Sequence, residues 1–137
     1  MHKIPADVIC GNPTMQNSMS CIFCKIIAHE ILAHIIYEDD SFLAFLDISP
    51  LSPGHTLVIP KQHYRWVWDV PNIGHYFEVA QKIAKAQQKA FGDPKILSKI
   101  VGEEVEHAHV WVYPGDGATG DKNDFEGNAR RIAENLG

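Results

Sequence analysis

Val105-Glu106-His107-Ala108-His109-Val110-Trp111-Val112-Tyr113-Pro114 is the stretch on which the fold turns. Its alternation predicts a strand in which His107, His109 and Trp111 share one face, while Ala108, Val110 and Val112 share the other. Upstream, Ile96–Val101 is a second β-rich run, set off by Gly102-Glu103-Glu104, and the two read as a hairpin with its glutamates at the tip. Before it, Ile73, Phe77, Ala80, Ala84 and Phe91 recur at helical spacing, with Lys82, Lys85 and Lys89 on the outer face. That predicts a long helix over 72–91, stopped by Gly92-Asp93-Pro94. Further back, His55–Pro60 reads as a strand, and Ile35-Ile36-Tyr37 with Phe42–Leu46 as a hairpin around Glu38-Asp39-Asp40-Ser41. Downstream, a Gly/Asp-rich loop leads to Asn123 as a cap with Glu126 three residues on, and Phe125, Ala129, Ile132 and Leu136 line one face of a short C-terminal helix. The class is therefore α+β: a mostly antiparallel sheet of about five strands, one long helix and one short one. Residues 1–19, rich in turn formers and without periodicity, read as a loose extension, and 20–137 as a single domain.

Composition agrees with one domain. The 137 residues are 45% apolar, enough for a chain of this size to bury a core without disulfide staples. The 12 Lys and Arg against 17 Asp and Glu leave a charge of −5, and no basic stripe exists to displace phosphate counterions, which argues against duplex nucleic acid as a partner. Apolar runs such as Leu57-Val58-Ile59 are far too short to span a membrane. Pro5 and Asp7 interrupt any apolar segment of signal-peptide length, so a cytoplasmic location is expected.

Three features carry chemistry. A strand holds an imidazole rigidly, and neutral imidazole attacks phosphorus, although a His-x-His pair is also at home on an ordinary polar sheet face. Cys10, Cys21 and Cys24 are an odd set, and the Cys21-x-x-Cys24 spacing suits half a zinc site, a redox dithiol or two incidental buried thiols. Zinc would need two more donors, for which His63 and His107 are candidates. Asp47 at a strand end suits a ribose diol and His55 at the next strand's start suits a phosphate, though each is also an ordinary turn residue.

Taken in order, Cys21-Ile22-Phe23-Cys24-Lys25-Ile26-Ile27, Tyr37-Glu38-Asp39-Asp40, Phe45-Leu46-Asp47-Ile48-Ser49-Pro50, Gly54-His55-Thr56-Leu57-Val58-Ile59-Pro60-Lys61 and His107-Ala108-His109-Val110-Trp111 resemble the histidine triad (HIT) superfamily, in its bacterial-type branch that includes adenosine phosphoramidases. The match runs from about Ser20 to Pro114 and implies the HIT-like fold. It also implies that His109 is the nucleophile, attacking the α-phosphate of a phosphoramidate or dinucleoside polyphosphate to form a nucleotidyl-histidine that water cleaves, with His55 neutralising phosphate charge. In zinc-containing members the ligands would fall on Cys21, Cys24, His63 and His107, a structural Zn2+. Base and sugar contacts of a purine nucleotide would fall on Ile22, Ile26, Ile31, Asp47 and Ile48, with Gly102 and Val105 in the same pocket, and the resemblance implies a homodimer.

Two features depart from the pattern. Trp111 occupies the third triad place, and an indole N–H donates a hydrogen bond but transfers no proton at neutral pH. Its loss of leaving-group assistance should penalise basic leaving groups most. A binding module that has lost turnover is the alternative reading. Glu103 and Glu104 stand where relatives place phosphate-binding polar residues, and carboxylates there must point away from a bound phosphate.

Overall fold

A computed structural model describes residues 21–102 and 105–136. The expectations for residues 1–19 and for Glu103 and Glu104 lie outside those residues. Five strands, β1 (Ile35–Glu38), β2 (Phe42–Leu46), β3 (Thr56–Pro60), β4 (Ile96–Lys99) and β5 (Val110–Pro114), form one sheet in the order β1-β2-β3-β5-β4. Every neighbouring pair is antiparallel. Among the described residues three α-helices accompany it, α1 (Ile22–Ile27), α2 (Ile73–Phe91) and α3 (Phe125–Glu134), with a 3-10 turn at Val67–Asp69.

β2 and β3 are buried along their whole length, so both faces of the sheet are covered there. The pleat divides them. Phe42, Ala44, Leu46 and Val58 join Ala108, Val110 and Val112 in a core under α2, whereas Leu43, Phe45, Leu57 and Ile59 pack on the opposite face with Phe23, Ile26 and Ile27 of α1.

α2 starts and stops where the spacing predicts, with Gly92 in the left-handed conformation at its end, but it is rotated from the expected face. Tyr76, Val79, Ala80, Ile83, Ala86, Gln87 and Phe91 are inside, and Ile73 and Phe77 are more than a third exposed. The reason is that two polar residues pack inward because their polar ends find partners. Tyr76 donates its hydroxyl to the Val58 carbonyl at 2.7 Å, and the Gln87 amide donates to the carbonyls of Gly54 at 2.9 Å and Val112 at 2.8 Å.

β5 begins at Val110 rather than Val105. The segment before it leaves the ladder, the Ala108 N–H donating to Tyr64 O at 2.6 Å, yet the alternation persists and puts Ala108 with the core under α2. α1 was not anticipated: a six-residue helix is too short to show a period, and it is capped by Cys21, whose Sγ accepts from the Cys24 N–H at 3.3 Å. α3 is capped by Asp124 rather than Asn123, because Asp124 Oδ1 takes the Gly127 N–H at 3.1 Å. Phe125, Ala129, Ile132 and Leu136 face inward as expected.

Candidate functional site

The face of the sheet opposite α2 carries the chemistry. Cys21 comes from the cap of α1, Cys24 from its first turn, His63 from the loop after β3 and His107 from the segment before β5. Their ligating atoms all lie within 4.8 Å of one another. Cys21 Sγ is 3.4 Å and Cys24 Sγ 3.6 Å from His107 Nδ1, and Cys24 Sγ is 3.3 Å from His63 Nδ1. A tetrahedron with ordinary zinc–sulfur and zinc–nitrogen bonds has edges of roughly 3.3–3.8 Å, so the donor set fits that ion. The His107 Nε2–H donates to the Pro60 carbonyl at 2.8 Å, which turns a bare Nδ1 toward the two cysteine sulfurs as a metal ligand requires. Burial pushes His107 down to about 3 and lowers His63, so both rings are neutral donors at neutral pH, while burial raises the Cys21 thiol against two backbone N–H groups that favour its anion.

His109 follows two residues on, buried on the same face. Its Nδ1–H donates to the His107 carbonyl at 2.8 Å, leaving the lone pair on Nε2. Phe23 meets both rings edge-on, with centroids 5.3 Å from His109 and 5.8 Å from His107. Sequence reasoning passed over Phe23, although its place inside the Cys-x-x-Cys pair was the available signal.

Across the ladder, His55 is turned by its backbone. Gly54 before it holds φ +76°, and the Leu51 N–H donates to His55 Nδ1 at 3.1 Å, so Nε2 carries the proton. That Nε2 is buried without a hydrogen-bond partner, its nearest carboxylate oxygen being Asp47 Oδ2 at 3.6 Å. Burial lowers the His55 pKa, partly offset by the Asp47 charge, so the ring is a neutral donor at neutral pH. Trp111 lies beside it, ring centroids 5.1 Å apart, with its Nε1 also buried and unpartnered. Tyr113 also stacks on His55, at 4.9 Å and 6.2 Å from the indole, and Lys99 of β4, opposite Trp111 in the ladder, holds its Nζ 4.8 Å from the indole centroid. Neither was singled out from the sequence.

The structure therefore gathers the four predicted ligands in one cluster and His109, His55 and Trp111 on one face. The aliphatic residues are more scattered: Ile22, Ile31 and Ile48 are exposed, Ile48 at 79%, while Ile26 and Val105 pack into the cluster around α1. Asp47 Oδ1 accepts the Ser49 N–H at 2.8 Å, so Oδ2 is the oxygen that faces His55. Gly102 holds φ +82° against the Trp66 indole.

Comparison with known proteins places this geometry among relatives. A family model described as HIT domain matches residues 28–118. The chain is 41% identical over 106 residues to the HIT-like protein MJ0866 of Methanocaldococcus jannaschii, covering 71% of this chain and 82% of that one. It is 37% identical over 98 residues to adenosine 5'-monophosphoramidase HNT1 of Saccharomyces cerevisiae, covering 69% and 62% respectively. A crystal structure of a zinc-bound histidine triad family protein from Mycobacterium smegmatis superposes with a TM-score of 0.74 at 34% identity, over 86% of this chain and 94% of that one.

Proposed function

Because the chain belongs to the HIT domain family, we propose that it cleaves nucleoside 5'-phosphate derivatives, phosphoramidates or dinucleoside polyphosphates, through a covalent nucleotidyl intermediate on His109. The observation that carries the reading is the fixed tautomer: with Nδ1–H bound to the His107 carbonyl, the His109 lone pair sits on Nε2. Nε2 attacks the α-phosphorus, the new N–P bond forms as the bond to the leaving group breaks, and water then displaces histidine to release the nucleotide. The buried His55 N–H is a fixed donor for a non-bridging oxygen, where charge develops. The purine would rest on the exposed Ile22, Ile31 and Ile48, beside Ile26, Gly102 and Val105, with Asp47 taking the ribose hydroxyls.

Zn2+ would be held by Cys21, Cys24, His63 and His107, and with all four positions filled by protein it supplies structural cross-linking rather than Lewis acidity. Its effect on chemistry is indirect: His107 contributes the carbonyl that orients His109. A homodimer in the cytoplasm is the assembly and location we assign. No described helix is long and apolar enough to cross a membrane.

Trp111 favours one second reading, a nucleotide-binding module without turnover, since the indole cannot protonate a leaving group. Release of AMP from an adenosine phosphoramidate and from a dinucleoside polyphosphate, in wild type and in His109→Ala, tests both. The hydrolase reading expects His109→Ala to lower release by about 10^3-fold or more. AMP binding with no release from either substrate would establish the binding module instead.

A further inference from the structure

Where the third histidine of the triad pattern is replaced, the chain has assembled a different set of groups. Trp111 Nε1 and His55 Nε2 are both buried, neither has a hydrogen-bond partner, and their rings lie 5.1 Å apart. A buried donor without an acceptor is costly and is retained where a ligand completes it. Above the same indole, 4.8 Å from its centroid, stands the Lys99 ammonium, brought there because Lys99 and Trp111 are directly opposed in the β4–β5 ladder and so share a face. Trp111 is two residues from His109 on that face, roughly 7 Å along the chain if it stays extended, within the span of one or two further phosphates from an α-phosphorus held at His109. Asp47 flanks His55, 3.6 Å from its Nε2, whereas Lys99 stands over the indole ring.

We propose that Lys99 and the Trp111 indole N–H form a subsite for an anionic leaving group, the second and later phosphates of a nucleoside polyphosphate, so that this chain favours phosphoanhydrides over phosphoramidates of basic amines. The inference rests on the function proposed above and specifies its substrate class. An amine must gain a proton as it departs, which a histidine can supply and an indole cannot. A phosphate leaves as an anion: the His109 Nε2–P bond forms, the anhydride P–O bond breaks, and its electron pair stays on the departing phosphate with no proton required. What that departure needs is a stationary positive charge and hydrogen-bond donors, which Lys99 and Trp111 supply.

Equilibrium titration with ADP and AMP tests the subsite separately from turnover. At low salt the wild type should bind ADP at least roughly fivefold more tightly than AMP, a preference that added salt weakens. Lys99→Met should collapse that ratio toward one, Lys99→Arg should retain most of it, and Trp111→Phe, which keeps the ring but not its N–H, should fall between. The same wild-type ratio in Lys99→Met, an equal loss of both nucleotides in that variant, or no binding of either by wild type overturns the subsite. Activity then separates the two claims. AMP release that depends on His109, with a phosphoanhydride-to-phosphoramidate kcat/KM ratio unmoved by Lys99→Met, keeps the enzyme and sinks the subsite. A Lys99-dependent ADP preference without any release keeps the subsite and sinks the covalent reading.

Discussion

Gly54 is the residue on which the placement of His55 depends. Its φ of +76° lies in the left-handed region, and a Cβ there would overlap the Phe91 ring of α2 and come within 3.0 Å of Ile132 Cδ1 of α3. Both packing partners are fully buried core residues, so neither can swing aside. The backbone carbonyl of Gly54 also accepts from Gln87 and from the Thr56 hydroxyl, which fixes the chain on either side of His55. Gly54→Ala should therefore cost at least about 2 kcal/mol, the sum of a left-handed alanine and an overpacked contact. Urea denaturation measures it, and a loss below about 0.5 kcal/mol would mean that the loop relaxes without strain.

At the scale of elements, the β1–β2 turn is tied to the start of α2 by charge. His75 Nε2 lies 2.8 Å from Asp39 Oδ2 and its Nδ1 3.2 Å from Glu78 Oε1, so the protonated ring satisfies both carboxylates, while Tyr37 donates to Asp39 at 2.8 Å. Hydrogen bonds to Glu78 and Asp39 raise the His75 pKa above 6.5, so its contribution to stability is complete below that value and is lost as pH rises through the folded pKa. For Asp39, burial pushes upward but donation from Tyr37, Ser41, Phe42 and His75 outweighs it, so its contribution is present above 3.8 and is lost as pH falls through the lowered folded value. The stability difference between wild type and His75→Ala should accordingly be larger at about pH 5.5 than at about pH 8.5, and an equal difference at both would refute the tie. None of this was legible in the sequence, because Asp39 and His75 meet only once the hairpin lies against α2. What was legible followed local periodicity. The alternation around His107 and His109 assigns faces correctly even where the ladder has not begun, and the ends of α2 follow from Gly92 and its neighbours. The rotation of α2 was hidden because Tyr76 and Gln87 look like surface residues until their partners on β3 and β5 are known. Cys21-x-x-Cys24 suggested half a metal site and His63 and His107 were candidates for the rest, but only the resemblance singled out that set, since the four join segments whose side chains meet through folding.

Over the molecule as a whole, among the described residues the two faces of the sheet are covered unequally. One carries the 19 residues of α2 with α3 packed into the same core, the other the six residues of α1. A helix of that length has almost no stability of its own. Its apolar contacts through Phe23, Ile26 and Ile27 hold part of it, and the Cys21, Cys24, His63 and His107 cluster joins its first turn to the loop after β3 and the segment before β5. A metal bound there would substitute for helix length, because its binding free energy is available only to the folded arrangement. Chelation should then lower the Tm by at least about 5 °C. It should also raise hydrogen exchange at residues 22–27 far more than in α2, where the core under the helix is untouched. Activity should fall with the metal although no reaction step passes through it, because Phe23 rests on His109 and His107 supplies the carbonyl that fixes the His109 tautomer. His63→Ala should reproduce the same pattern, with metal content dropping below one ion per chain. If the chelated protein kept its exchange protection over 22–27, the apolar contacts alone would be holding α1, and the cluster would have to be explained by something other than anchoring that helix.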